Sequence, residues 1–323
     1  MAATRKKKRN IRVMGQDCER HSAAGLEHFG HGNPLYTVPM HHRFTGHSAM
    51  IPPNPALAGC VRGYLVRNTL QADLAPAERC NHFPATPTCV LTWVLEGHDT
   101  RVQQVPASRH VLRVPMVFGG PHTMPSASCN AGPVRFFTLM LYPDALHAMT
   151  DLDIAAHLNR YSALVDVLGR DWQAMAHAVF HADDDAQRVR RIEAFLLPRW
   201  SALAPAAAAG PMPFHDWSLA VARRAATMDG GHSQRQIDRR IHAWTGQSMR
   251  QLRAMARAEA SLLPTQAALA SQALNWSDIA YRSGFSDQSH LCREFRQRLG
   301  LSPSELKQGL LGQAHHWVCQ VWQ

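Results

Sequence analysis

The chain has 323 residues, of which 46% are hydrophobic and 18% charged. That apolar share is ordinary for globular protein and excludes wholesale disorder, and the length predicts two or three domains. The longest charge-free stretch, Val114 to Val134, is broken by prolines and glycines throughout, so no membrane-spanning helix is expected and no membrane is expected as a partner.

The formal charge of +10 is unevenly placed. Residues 1–12 hold six Lys and Arg and no acid, residues 13–210 hold 15 bases and 16 acids, and residues 211–312 hold 13 bases and eight acids. A basic module beside a neutral one points to polyanion binding joined to a second task. Twelve of those 13 bases are Arg, which suits phosphate and guanine contacts. The seven cysteines are scattered without a Cys-x-x-Cys. This argues against a disulfide framework and fits a reducing cytoplasm. No apolar core or small-residue cleavage site follows the basic N-terminus, so a secretory signal is not expected.

In chain order, residues 1–20 read as a disordered basic arm. Residues 21–203 read as a domain separate from the basic module. Within it, from about 55 to 143, short apolar runs such as Cys89–Leu95, His110–Val114 and Val134–Leu141 alternate with turn signals, the pattern of a β-sandwich or barrel. The runs lack clean alternation, so both sheet faces are expected to be covered. After Pro143 the periodicity is helical. Asp184–Leu203 places apolar residues at 3–4 spacing, and Asp183, Asp184 and Asp185 sit where a helix dipole favours negative charge rather than in a metal site. The Pro- and Ala-rich stretch at 204–214 is a linker by composition.

Residues 215–310 read as almost entirely helical, with a tail at 311–323 whose Trp317 and Trp322 are expected to dock on the protein itself. Two segments share one design, Ser233–Gly246 and Asp287–Gly300. Each has a single apolar stripe (Ile237, Ile241 and Trp244; Leu291, Phe295 and Leu299) and a terminal Gly that reads as a C-cap. Their other faces carry Arg, Gln, Asp and Ser. Ahead of the second, Ser277–Arg282 reads as a short helix, followed by a Gly turn and Ser286 as N-cap. Helix, Gly turn and polar-faced helix make a helix-turn-helix. Ser302-Pro303-Ser304-Glu305 is a capping box with Pro at the first helical position.

The residues Asp278-Ile279-Ala280, Gly284-Phe285-Ser286-Asp287-Gln288-Ser289-His290, Arg293, Phe295-Arg296, Gly300 and Ser302-Pro303 resemble the signature of AraC/XylS-type transcriptional regulators. The resemblance covers about residues 215–307. It implies a supporting helix from Trp217 to Met228, a first recognition helix from Ser233, and a joining helix over Gln247–Leu263 for which Pro264 marks an early end. Asp229-Gly230-Gly231 departs from the compact Gly turn. The resemblance implies base contacts from Arg235, Asp238 and Arg239, then from Gln288, Ser289, Cys292 and Arg293. The chemistry agrees, since Arg can bond guanine O6 and N7 together, Gln can pair with adenine and Asp can accept from cytosine. Ser248, Arg250 and Ser304, near helix starts, are expected to hold phosphates. The plainer alternative for the arginines is phosphate grip or pairing with Asp238 or Glu294.

His82-Phe83-Pro84-Ala85-Thr86-Pro87, Phe118-Gly119-Gly120-Pro121, Gly132-Pro133-Val134-Arg135 and Arg191–Leu196 resemble the sensor domain of one subgroup of that family. The resemblance implies that residues 21–203 are a sensor and dimerisation domain, with a cupin-like barrel, dimerising helices and often a small effector. Trp93, Phe118, Phe136 and Met140 are the candidate effector pocket, with core packing as the plainer alternative. A barrel could gather His82, His110 and His122, but no metal-ligand spacing appears, and neither metal nor cofactor is expected.

The expected fold is therefore α+β: an N-terminal β-rich cupin-like barrel with flanking helices, then an all-α double helix-turn-helix domain. The expected function is a sequence-specific transcription regulator, an activator by family habit, working in the bacterial cytoplasm. Its expected partners are double-stranded operator DNA, RNA polymerase, a small-molecule effector and a second copy of itself. It is not expected to be an enzyme. The alternative, a metal-dependent cupin-type or repair enzyme fused to a DNA-binding module, lacks a reactive cysteine in its expected setting and any assembled ligand set.

Overall fold

In the computed structural model, residues 46–97, 100–104, 108–112, 114–203, 212–228, 233–311 and 314–322 are described. The basic arm, most of the linker, His41-His42 and Asp229-Gly230-Gly231 lie outside them, as does the side chain of His110. Among the described residues the first half carries ten strands: β1 (His47–Ile51), β2 (Val61–Asn68), β3 (Cys80–Phe83), β4 (Cys89–Glu96), β5 (Thr100–Gln104), β6 (Ser108–Leu112), β7 (Met116–Gly119), β8 (Ser126–Cys129), β9 (Arg135–Leu141) and β10 (Tyr161–Ala163). They form two antiparallel sheets, a six-stranded one ordered β1-β2-β9-β4-β7-β10 and a four-stranded one ordered β3-β8-β5-β6.

Register explains the missing alternation. In the six-stranded sheet Leu65, Thr138, Thr92 and Val117 are cross-strand partners in one row, and Tyr64, Leu139, Leu91 and Phe118 form the next. Side chains of successive rows point to opposite faces. The Tyr64 row and the Val66–Phe137–Trp93–Met116 row turn to helices α2 (Arg170–Phe180) and α3 (Asp185–Leu203). There Trp93 Nε1 donates to the Ala176 carbonyl at 2.9 Å and Tyr64 to Glu193 at 3.4 Å. The opposite face looks toward the smaller sheet and the C-terminal half. With both faces covered, each strand reads as a nearly continuous apolar run. At the start of α3, Asp184 accepts from the Gln187 amide and Asp185 pairs with Arg188 and Arg135.

One sequence expectation is corrected here. Cys80 and Cys129 are joined by a disulfide. The β3–β8 register sets them directly opposite each other, a proximity hidden by 49 residues of separation. Cys60, Cys89, Cys292 and Cys319 are free thiols.

A short helix α1 (Pro143–Thr150) follows β9. Beyond the linker come α4 (Phe214–Thr227), α5 (Gln234–Thr245), α6 (Met249–Ala270), α7 (Trp276–Arg282), α8 (Gln288–Arg298) and α9 (Pro303–Leu310), then a last turn, α10 (Trp317–Val321). Pro264 does not end the joining helix, which runs through it to Ala270. A proline removes one helical N–H donor. Around this one, Ser261 Oγ bonds back to the Ala258 carbonyl and Thr265 Oγ1 to the Ser261 carbonyl. Ser261 and Thr265 are fully buried, so packing outweighs the lost bond.

Candidate functional site

Each helix-turn-helix unit is held from within by its apolar stripe. In the second, Ile279, Ala280, Phe285, Leu291, Phe295 and Leu299 are buried. Phe295 meets Trp276 and Phe285 edge-on, at 6.2 and 6.4 Å between ring centres. The turn between α7 and α8 needs Gly284, whose φ of +74° is a left-handed conformation that side chains disfavour. The α8 N-cap is Asp287, one residue later than the expected Ser286. Its carboxylate accepts the His290 amide at 2.7 Å, and Ser286 Oγ donates to the other Asp287 oxygen. These bonds hold the Asp287 carboxyl below its ordinary range.

In the first unit Ser233 caps α5 in a capping box with Gln236, and Gly246 closes it. Ile241 is buried, while Ile237 and Trp244 are half-buried, with the Arg224 guanidinium 4.6 Å over the Trp244 ring. The opposite faces are in solvent. Arg235, Asp238 and Arg239 on α5, and Gln288, Ser289 and Arg293 on α8, are exposed, and Cys292 is half-buried. No ion pair engages Arg235, Arg239 or Arg293 among the described residues; Asp238 takes the Gln234 amide at 3.0 Å and Glu294 faces Arg298 at 3.7 Å. Ser248 is the N-cap of α6, with Arg250 in its first turn, and Ser304 follows Pro303 at the start of α9. All three are exposed. Two solvent-facing polar helix faces, each flanked by helix N-termini, are thus carried on one chain.

Nothing in the local sequence shows how the C-terminal helical half is fastened to the β-rich half. Asp144 on α1 is buried and accepts from Trp217 Nε1 at 2.8 Å and from Arg224 at 2.6 Å. Tyr142 stacks on Trp217 at 5.0 Å. Arg298, at the end of α8, donates to the Thr123 carbonyl and accepts the Ala85 amide on its own carbonyl. Arg62 of β2 pairs with Glu259 of α6 at 3.0 Å, both buried. In the tail, Trp317 Nε1 donates to Asn81 at 3.0 Å and Trp322 Nε1 to Glu259 at 3.1 Å. None of these contacts has a signal in local sequence, because every partner is more than 60 residues away.

Between the six-stranded sheet, the smaller sheet, α6 and the tail lies a cavity of about 150 Å³. Its wall is almost wholly apolar, and the floor is the Leu65–Thr138–Thr92–Val117 row with Met140 and Phe136 on either side. Of the four candidate pocket residues, Phe136 and Met140 line it, whereas Trp93 and Phe118 lie fully buried on the other face of the same sheet. Phe118 there meets the His157 ring edge-on. Strand parity separates the two pairs, and only register reveals it.

Of the three histidines considered together, His82 and His122 lie in different surroundings, and the side chain of His110 is outside the described residues. His82 crowds His315 and His316 of the tail, at 5.4 and 5.0 Å between ring centres, and burial pushes His316 down to about 3. His122 stacks on Tyr161 at 4.5 Å and bonds the Gly120 carbonyl through Nδ1 at 2.8 Å. Among the described residues no group of three His, Cys, Asp or Glu is placed to hold a metal ion, and no helix is long and apolar enough to cross a membrane.

Residues 230–309 match the family model described as a helix-turn-helix domain. No curated protein matches the chain. Among solved structures, the chain is similar to ToxT from Vibrio cholerae O395, at 9% identity and a TM-score of 0.36 over 71% of this chain and 92% of that one. It is similar also to ToxT from Vibrio cholerae in a second structure, at 9% identity and a TM-score of 0.35 over 71% of this chain and 96% of that one. A third is unsaturated fatty acid bound wild-type ToxT from Vibrio cholerae strain SCE256, at 9% identity and a TM-score of 0.32 over 76% and 94%.

Proposed function

We propose that this chain is a sequence-specific DNA-binding transcription regulator of AraC type, whose helix-turn-helix domain at residues 230–309 reads an operator. Helices α5 and α8 enter two successive major grooves on one face of the duplex, about one turn or ~34 Å apart. Arg235, Asp238 and Arg239, then Gln288, Ser289, Cys292 and Arg293, meet base edges. Ser248, Arg250 and Ser304 set the register on the phosphates. The observation that carries this is the solvent exposure of both polar helix faces, with Arg239 and Arg293 at corresponding places and neither held in an ion pair among the described residues.

The cavity is the proposed effector site. Both halves of the chain supply its wall, Phe136 and Met140 from the sensor and Met255, Glu259 and Leu262 from α6. A molecule bound there would touch the helix that joins the two reading units. Action without catalysis, homodimerisation, activation through RNA polymerase and a cytoplasmic setting rest on the resemblance to AraC/XylS-type regulators.

The test is to sequence the genomic DNA retained by the purified chain, with Arg239→Ala plus Arg293→Ala alongside. A shared motif with two half-elements one turn apart, lost in the variant, is expected. Each bidentate arginine should account for about 1–3 kcal/mol of discrimination. Even coverage in both proteins, with cell extract added, would refute specific reading.

A further inference from the structure

The polar groups around the cavity restrict what can enter it. Among the described residues no Lys or Arg lines it, and Glu259 is the single acid that does. Glu259 is fully engaged: Oε1 accepts from Arg62 Nε at 3.2 Å, Arg62 Nη2 at 3.0 Å and Trp322 Nε1 at 3.1 Å, and Oε2 accepts the Phe214 amide at 2.6 Å. The Arg62 guanidinium is itself covered by the Trp322 and Phe214 rings, at 4.9 and 5.8 Å. A ligand carboxylate would find no cation to meet it and would lie beside Glu259. A ligand ammonium would find both Glu259 oxygens taken and Arg62 behind them. The other polar groups that line the cavity, Thr86, His122, Ser126, Ser128, Asn130 and Tyr161, are neutral, so neither charge would gain an ion pair for the water it gives up, and burying a charge costs far more than burying a neutral group.

The floor holds one polar feature. Thr92 and Thr138 are cross-strand partners whose hydroxyl oxygens lie 2.9 Å apart. Two hydroxyls carry two protons, and their mutual bond uses one. The other is left to donate into the cavity, between the apolar side chains of Leu65 and Val117 in the same row. The volume, about 150 Å³, is that of a dry apolar cavity that takes a benzene-sized molecule.

We propose that this cavity takes a small uncharged aryl alcohol or ketone, its ring on the apolar wall and its oxygen accepting a proton from the Thr92–Thr138 pair, and that it excludes carboxylates. The proposal rests on the reading of the cavity as an effector site, and the test separates the two. The full chain is titrated with toluene, benzyl alcohol and benzoate by calorimetry, as wild type and as the double variant Thr92→Val plus Thr138→Val, because either hydroxyl alone would still carry a proton to donate. Benzyl alcohol should bind tightest, and benzoate roughly a hundredfold more weakly, a ratio equivalent to ~2.7 kcal/mol. The double variant should weaken benzyl alcohol by about tenfold, ~1.4 kcal/mol, to the level of toluene, and leave toluene unchanged. Thr92→Ala plus Thr138→Ala serves if the first variant does not fold. Benzoate binding as well as benzyl alcohol would overturn the exclusion of charge. Equal loss of toluene and benzyl alcohol in the variant would overturn the role of the threonines. Both of those results leave the effector site standing, whereas no binding of any of the three would overturn the site itself.

Discussion

His122 offers a direct measure of how dry the interior of the β-rich half is. It is 3% exposed, and burial, opposed by its bond to the Gly120 carbonyl, pushes its imidazole from the ordinary 6.5 down to about 4. In the unfolded chain the ring takes up its proton near pH 6.5, whereas in the folded protein it stays neutral until about pH 4. The unfolded state therefore binds more protons in that window. The stability associated with neutral His122 is fully present above pH 6.5 and is lost as the pH falls toward 4. At pH 5 the loss relative to pH 7.5 is about 2 kcal/mol, from 1.36 kcal/mol per unit over roughly one and a half units. The perturbation is His122→Asn, whose amide can keep the bond to Gly120 but cannot titrate. Urea unfolding of both proteins at pH 7.5 and pH 5.0 gives the test. The drop in stability should be smaller in the variant by about 2 kcal/mol. If the two profiles run parallel, His122 is either hydrated or protonated in the fold, and the argument from burial is refuted.

Three further outcomes follow from the packing. Phe295→Ala should cost about 3–5 kcal/mol, because the ring is fully buried between Trp276 and Phe285, and should abolish footprinting of one half-element before the other. Gly284→Val places a β-branched side chain at φ +74°; it should lower stability by about 1–2 kcal/mol in thermal unfolding, although the site is exposed. Reduction of Cys80–Cys129, which closes 49 residues, should lower stability by about 2–4 kcal/mol, with Cys80→Ser insensitive to reductant.

The helix-turn-helix domain was legible in the sequence because its determinants are local. Caps such as Ser233, Ser248 and Ser302 act within one turn. The stripe Leu291–Phe295–Leu299 repeats at helical spacing, and Gly284 is demanded by the backbone of its own turn. Even there, one boundary moved by a residue to Asp287, since two adjacent oxygens compete to cap one helix. Pro264 misled because its local cost is offset by burial, a property of the whole fold. The strands were legible as strands but not as faces. Trp93 and Met140 are equally apolar, and register alone assigns one to the helical side and the other to the cavity. The disulfide, the Asp144 anchor, the Arg62–Glu259 pair and the tail's indoles join residues far apart in the chain. The sequence by itself determined the helices of the C-terminal half and the division of charge between the two halves. Only the tertiary structure decided which side chains meet at the cavity, because long-range pairing and shared burial leave no mark in short-range periodicity.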